Sequence, residues 1–462
     1  MLKKFIGDKA FYRRLFVLMI PIMVQNGITN FVSMLDNIMI GRLGTPEMAG
    51  VAVVNQLMFV FNLCIFGAVS GAGIFSAQFF GKGDTDGVRH CFRYKYISSV
   101  LLTVAAVALF FTCGDWLIGL YLKGEGDVQD IAATMVFAKK YMTVMALGML
   151  PFALTQCYAS TLRETNRASA PMYAGIVAVI VNLMFNYVLI FGAFGFPAFG
   201  VAGAAIATVI ARFTELAVVM IWSWRDRHEN AFITGAFRSL YIPKKLLREI
   251  TVKGMPLLLN EGLWAMGMAL LSQCYSMRGF EVVAANNISQ TFYNLFTIVF
   301  TATGGAIGII LGQMLGNGQL DEAKEESVKL IAFSVAASVI TGAAYAFAGI
   351  FIPHMYNVEE SVKTLATQLM LINAAAMPFF AFTYACYFTL RSGGKIAITF
   401  VFDCCFVWMI NLPVVYLVTK YTDVNILAVF AISESVHILK CVLGGWFVAK
   451  GVWIRNLVAA DR

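Results

Sequence analysis

The chain reads as an all-α integral membrane protein: twelve transmembrane helices in two six-helix lobes, related by a pseudo-twofold axis along the membrane normal. Three observations predict this. First, 60% of the 462 residues are hydrophobic and only 13% are charged, with a mean hydropathy of +0.76; a soluble domain carries about a quarter charged residues. Second, residues 48–81, 168–211 and 282–320 contain no charge at all. Only helices and closed barrels satisfy their backbone in hydrocarbon, and these runs far exceed the ~10 residues of a barrel strand. Third, the polar residues inside these runs recur. Gln78, Gly81, Gly83 and Asp86 are matched 235 positions on by Gln313, Gly316, Gly318 and Asp321, and Pro21, Gln25 and Gly27 by Pro256, Asn260 and Gly262. A membrane bundle made twice is a common plan for transporters.

Hydropathy breaks place the spans at 14–40, 47–80, 95–121, 130–161, 168–192, 200–224, 253–277, 281–315, 328–352, 361–390, 396–419 and 425–449. The apolar run after Arg14 has no small-residue cleavage site and reads as a retained first span. With both termini inside, the inner segments hold 25 Lys and Arg against 5 outside (Arg42, Lys123, Arg278, Lys363 and Lys420). That is the bias expected of cytoplasmic loops, and it places a multi-pass protein in the cell membrane with both ends cytoplasmic. Lys3, Lys4, Lys95 and Arg462 count among the inner cations. The net charge of +8 therefore calls for a lipid bilayer as partner and not for nucleic acid.

The basic segment 225–252 falls at the midpoint. It divides an N-terminal lobe, 1–224, from a C-terminal lobe, 253–462, with 225–252 as a cytoplasmic linker. An even number of spans per half gives both halves the same orientation, so they would face a central cleft. The nine cysteines lack paired or metal-ligand spacing and read as apolar filler.

Polar groups inside spans are costly, about 2.5–3.5 kcal/mol for a charge at a helix centre on insertion scales. In the first span Gln25, Thr29, Ser33 and Asp36 follow at steps of four, four and three, which puts them on one face. Asn182 and Asn186 share a face of the fifth span, and with Asp36 and Thr208 they offer a carboxylate plus neutral oxygens, a set suited to a hard cation. Asp36 equally reads as a helix-end group reaching interfacial water. In the second lobe Glu261 and Asn260 follow Pro256; Glu261 is either a coupling carboxylate or a partner for a nearby cation at the inner mouth. The eighth span carries Asn287, Gln290 and Asn294, as cleft lining or as interhelix hydrogen bonders. Arg212 and Glu215, three apart, can neutralise each other. The 23 Met and 39 Phe supply a polarizable lining suited to varied organic cations, though most face lipid or pack between helices.

The doubled pattern resembles the multidrug and toxic compound extrusion (MATE) transporters of bacterial type. Carrying the resemblance are Pro21, the stretch from Val32 through Asp36 to Gly41-Arg42-Leu43-Gly44, Gln78 to Gly83 with its echo, and Leu162-Arg163 against Leu390-Arg391. It covers essentially the whole chain and implies a secondary antiporter that exports organic, cationic or amphipathic compounds in exchange for Na+ or H+. Asp36 matches the family's coupling acid and Asn182 resembles an asparagine of the first-lobe cation site, so Na+ at Asp36, Asn182 and Asn186 is implied. Asn186 stands where one branch has a second aspartate, leaving one acid fewer. Glu261 resembles a seventh-span glutamate of other branches. Their companion acid in the tenth span is missing, and Asp403 in the eleventh is the substitute candidate. No resident cofactor is implied, and the chain is expected to act as a single copy on small organic substrates.

A lipid-linked saccharide flippase of the same superfamily is the nearer alternative. It would need several Arg deep in the spans, where Arg212 is the chief candidate. A membrane enzyme would need an Asp-rich or His cluster; His90, His228, His354 and His437 are far apart in sequence. A channel fits unlike polar sets in two halves poorly.

Overall fold

The computed structural model describes residues 5–121, 128–356 and 358–459. Lys3, Lys4, Lys123 and Arg462 of the charge tally lie outside them. Among the described residues the regular structure is helical throughout, with no strand. The first half comprises α1 (Lys9–Gly41), α2 (Thr45–Lys82), α3 (Thr85–Tyr121), α4 (Val128–Glu164), α5 (Ser169–Phe191) and α6 (Val201–Arg225). The second comprises α7 (Lys244–Ser276), α8 (Phe280–Phe296), α9 (Ile298–Gly316), α10 (Leu320–Phe351), α11 (Glu360–Ser392), α12 (Ile396–Phe400), α13 (Leu412–Tyr421) and α14 (Ile426–Ala449). Eleven helices among the described residues are long and apolar enough to cross a bilayer. The seventh expected span, α7, is absent from that set although it has 33 residues; Asn260 and Glu261 interrupt its apolar run.

The helices depart from the hydropathy reading in several places, among them the start of α3 at Thr85 and not 95, and of α10 at Leu320 and not 328. α7 begins at Lys244, inside the segment read as linker, because the Lys-Lys-Leu-Leu-Arg-Glu run is made of good helix formers. The eighth span divides into α8 and α9 at Thr297, where ψ relaxes to −14°. In the eleventh, Val401–Cys405 and Val407–Asn411 wind as π-helix between α12 and α13. The widened turns lead into Pro413, which has no N–H to return to the preceding turn.

Contacts divide the chain into two compact units. One holds Met1–Met23, Ala77–Gly83 and Leu259–Arg462; the other holds Val24–Ser76 and Asp84–Leu258. The chain thus changes unit after Met23 in α1 and after Leu258 in α7, positions again 235 apart, and Pro21 and Pro256 precede each change by two residues.

In the first of these units the repeated motifs meet. A Cβ on Gly81 would stand 1.9 Å from the Gln313 carbonyl oxygen, and one on Gly316 would stand 1.9 Å from that of Gln78. Only glycine permits this reciprocal backbone contact. Gln78, fully buried, donates to the Ser392 carbonyl (2.9 Å) and accepts from the Leu457 N–H (2.7 Å). Asn456 donates to the Gly316 carbonyl (3.2 Å) and Lys82 to that of Val458 (2.8 Å). Thus the chain after α14 is fastened to the ends of α2, α9 and α11.

In the other unit α3 anchors the segment after α6. The Arg93 guanidinium donates to the carbonyls of Ala236 (2.8 Å), Gly235 (2.9 Å) and Tyr241 (2.9 Å), and Phe92 meets the buried Phe232 at 5.3 Å between ring centroids. The expected linker is therefore fastened to α3 through Phe232 and the carbonyls of Gly235, Ala236 and Tyr241.

Candidate functional site

α5 and α6 pack closely because α6 opens on small residues, Ala202 through Ala205. A Cβ on Gly203 would lie 2.3 Å from the Leu189 carbonyl. This approach carries Asn182 and Asn186, one turn apart on α5, against Thr208 on α6. The second half of α1 brings in Asp36. The Asn186 amide nitrogen donates to Asp36 Oδ1 (2.6 Å) and to Asn182 Oδ1 (3.0 Å), and the Asn182 amide donates to Thr208 Oγ1 (3.4 Å). Asn182 and Asn186 are buried, and Asp36 is half-buried. The carbonyl oxygen of Asn186 is buried with no hydrogen-bond partner, an arrangement that costs about 1–3 kcal/mol.

Beside Thr208 lies a cavity of about 40 Å³ lined by Asn62, Thr208 and Arg212 among Met58, Met149 and Phe152. That is room for a water or a bare ion. Arg212 lies 4.5 Å from the centroid of the Phe152 ring and 3.6 Å from Glu215, so the expected Arg212–Glu215 pairing is present.

The other residues on the Asp36 face of α1 differ among themselves. Gln25 is buried and accepts from Arg163 (2.5 Å), whereas Thr29 and Ser33 are exposed and donate back to the carbonyls four residues earlier. On α8, Asn287 and Asn294 are exposed and Gln290 is half-buried.

In the second half, Asn260 is buried and donates to Asp403 Oδ2 (3.1 Å) and to the Tyr387 hydroxyl (3.4 Å). The π-helical turns carry Asp403 here and also bring it 3.6 Å from Lys440 on α14. Glu261 lies 3.9 Å from Arg391, which also stands over the rings of Tyr387 and Phe388. The cation facing Glu261 therefore comes from α11. Both carboxylates have a cationic neighbour, which a bound cation would have to outcompete.

Sequence reasoning missed one charged cluster. Lys95, counted as an inner-loop cation, lies in the third turn of α3 with no exposed surface. Its Nζ donates to Glu164 (2.5 Å), Ser160 (3.0 Å) and Thr161 (3.1 Å). The signal was Glu164 itself, an acid that follows Arg163 after the uncharged stretch 141–162 of α4, which α3 packs against. Arg93, Arg391 and Lys440 are also buried, so Arg212 is one of several cations within the bundle. Among the described residues no cluster of three or more His, Cys, Asp or Glu could hold a metal.

Comparison with known proteins agrees with this architecture. The probable multidrug resistance protein NorM of Thermotoga maritima is 22% identical over 455 residues, covering 96% of this chain and 94% of that protein. The multidrug resistance protein MdtK of Pectobacterium atrosepticum is 24% identical over 364 residues, 78% of each. Among solved structures, the outward-facing conformation of a multidrug resistance MATE family transporter of the MOP superfamily superposes with a TM-score of 0.85 at 16% identity, covering 97% of this chain and 98% of that one. A MOP superfamily transporter from Pyrococcus furiosus, whose binding pocket is described as having reverse polarity, gives 0.84 at 17% identity over the same shares. The family model described as MatE matches residues 21–188 and again 256–417, one stretch in each half. Twice matched and spanning most of its length, the chain belongs to the MatE family of membrane transporters.

Proposed function

We propose that this transporter is a secondary antiporter that exports organic, cationic or amphipathic compounds in exchange for Na+ or H+. In this reading its lobes, 1–224 and 253–462, alternate about a central cleft in the cell membrane, with both termini cytoplasmic and one copy sufficing. Asp36 is the coupling carboxylate. Carrying the reading is the Asn186 amide, which donates to Asp36 and Asn182 while its own carbonyl oxygen is buried without a partner.

A half-turn of that amide exchanges N–H for C=O. It would turn an oxygen toward Asp36, beside those of Asn182 and Thr208, and so offer a hard cation one charge and several neutral ligands. Protonation of Asp36 would remove the same charge without the turn. Either event changes the electrostatics inside the bundle, and it biases the cleft only as far as the two states bind the ion differently. The description of the named relatives as multidrug resistance proteins, in one case as a probable one, supports the cargo class. A flippase would require unpaired cations deep in the spans of the second half as well, whereas there Arg391 faces Glu261 and Lys440 faces Asp403.

The test is efflux of fluorescent organic cations from sealed vesicles under separate sodium and pH gradients. Asp36→Asn is expected to abolish gradient-driven efflux while expression and thermal unfolding stay at wild-type levels. Unimpaired efflux would remove Asp36 from the mechanism. Glu261→Gln is expected to impair transport less, and an equal loss would give Glu261 the primary role.

A further inference from the structure

A second cavity, of about 520 Å³, opens where α6 gives way to the segment leading into α7. Its lining includes Arg227, His228 and Arg238, the aromatic rings of Trp224 and Phe237, and Thr234. No carboxylate lines it. Glu229, in the same turn as Arg227, is engaged by Arg167, and neither Arg227 nor Arg238 makes an ion pair among the described residues. Two guanidinium groups are thus left to face one hollow. The walls are preformed: Phe232, Ile233 and Ala236 are buried, Arg93 holds the carbonyls of Gly235, Ala236 and Tyr241, and Phe237 packs on Tyr96 at 5.3 Å.

The cavity also sits at a defined level. Trp224 belongs to the last turn of α6, where a membrane-crossing helix ends, and it is 44% exposed. Leu240 and Tyr241, 55% and 64% exposed, stand just past the cavity. Exposed aromatic rings beside unpaired arginines at a span end match the two chemistries of a lipid headgroup region. Arginine forks suit phosphate oxygens, and indole and phenyl rings suit the glycerol and upper acyl region. Free phosphate would account for the arginines but leave Trp224, Leu240 and Tyr241 unexplained.

We propose that this cavity binds the phosphodiester headgroup of an anionic phospholipid, with Arg227 and Arg238 on the phosphate and Trp224 and Phe237 against the adjoining glycerol and acyl carbons. It is distinct from the Asp36 group and does not depend on what the protein exports.

The experiment is native mass spectrometry of the full chain from detergent, titrated with phosphatidylglycerol or phosphatidylcholine, with inorganic phosphate as a third probe. The wild-type chain is expected to retain phosphatidylglycerol preferentially. Arg227→Gln/Arg238→Gln is expected to weaken that retention about tenfold or more, at near full value for two basic groups, while leaving phosphatidylcholine unchanged. Both side chains are exposed, so the variant should fold, and its unfolding temperature checks that it does. A control, Lys244→Gln/Arg248→Gln, removes two charges from the start of α7 outside the cavity. An equal loss in the control would overturn the proposal in favour of diffuse attraction. So would equal retention of the two lipids by the wild-type chain. Competition by millimolar inorganic phosphate as strong as that by phosphatidylglycerol would overturn it in favour of a free anion.

Discussion

Lys95 and Glu164 form an ion pair from which bulk water is excluded, with two hydroxyls completing the ammonium's shell. Removing one partner strands the other charge, which costs about 3–5 kcal/mol, whereas replacing both with apolar groups of similar size is often near neutral. Lys95→Met is therefore expected to lower the unfolding temperature sharply, and Lys95→Met/Glu164→Leu to recover most of the loss. A double variant as unstable as the single one would show that the pair itself, and not the stranded charge, sets the stability. This pair escaped the sequence reading because hydropathy started the third span at residue 95, while α3 starts at Thr85 and draws the lysine inside. The grouping of Asp36, Asn182, Asn186 and Thr208 was legible as a set of candidate oxygens, since Asn182 and Asn186 share one helical face, Asp36 and Thr208 interrupt other hydrocarbon runs, and the family resemblance pointed to Asp36 and Asn182. Which amide hydrogen points at which oxygen was not legible, because spacing carries no rotamer.

At the ends of α2 and α9 the two repeats meet backbone to backbone. The contact of Gly81 with Gln313 and of Gly316 with Gln78 is symmetric, so its energetics should be symmetric as well. Gly81→Ala and Gly316→Ala are each expected to destabilise by roughly the 1–3 kcal/mol of an overpacked site or more, since the atom in the way is backbone. The two losses should be similar in thermal unfolding. Gly83 and Gly318, which have open space around them and positive φ, should show only the smaller cost of a strained backbone on the same change. If Gly81→Ala unfolded like the wild type, the crossing would not be as tight as described. Constant offset made these glycines conspicuous in sequence. The π-helical turns around Asp403 were not legible there, because an added residue per turn leaves no mark on an apolar run. Only after those turns are known do Asn260 and Lys440 emerge as the neighbours of Asp403.

At the scale of the whole molecule, neither compact unit is one continuous stretch of chain. The unit holding Leu259 onward also holds the opening of α1 and the end of α2; the other holds the opening of α7. A first half made alone would leave the start of α1 and residues 77–83 without their packing partners. Residues 1–240 expressed alone are accordingly expected to be degraded, and co-expression with 241–462 to restore a protease-resistant, transporting complex. A stable, resistant fragment 1–240 would count against this interdependence.

The exchange also sets an order of events at the ribosome. Translation runs at about 5–20 residues per second, so some 235 codons separate Met23 from Leu259 by roughly 12–50 seconds. During that interval the opening of α1 and the end of α2 are in the bilayer without the larger part of their unit, Leu259–Arg462. The packing of α1 is thus finished late, and slowing or pausing synthesis of the second half should lengthen the window in which quality-control proteases can reach that helix.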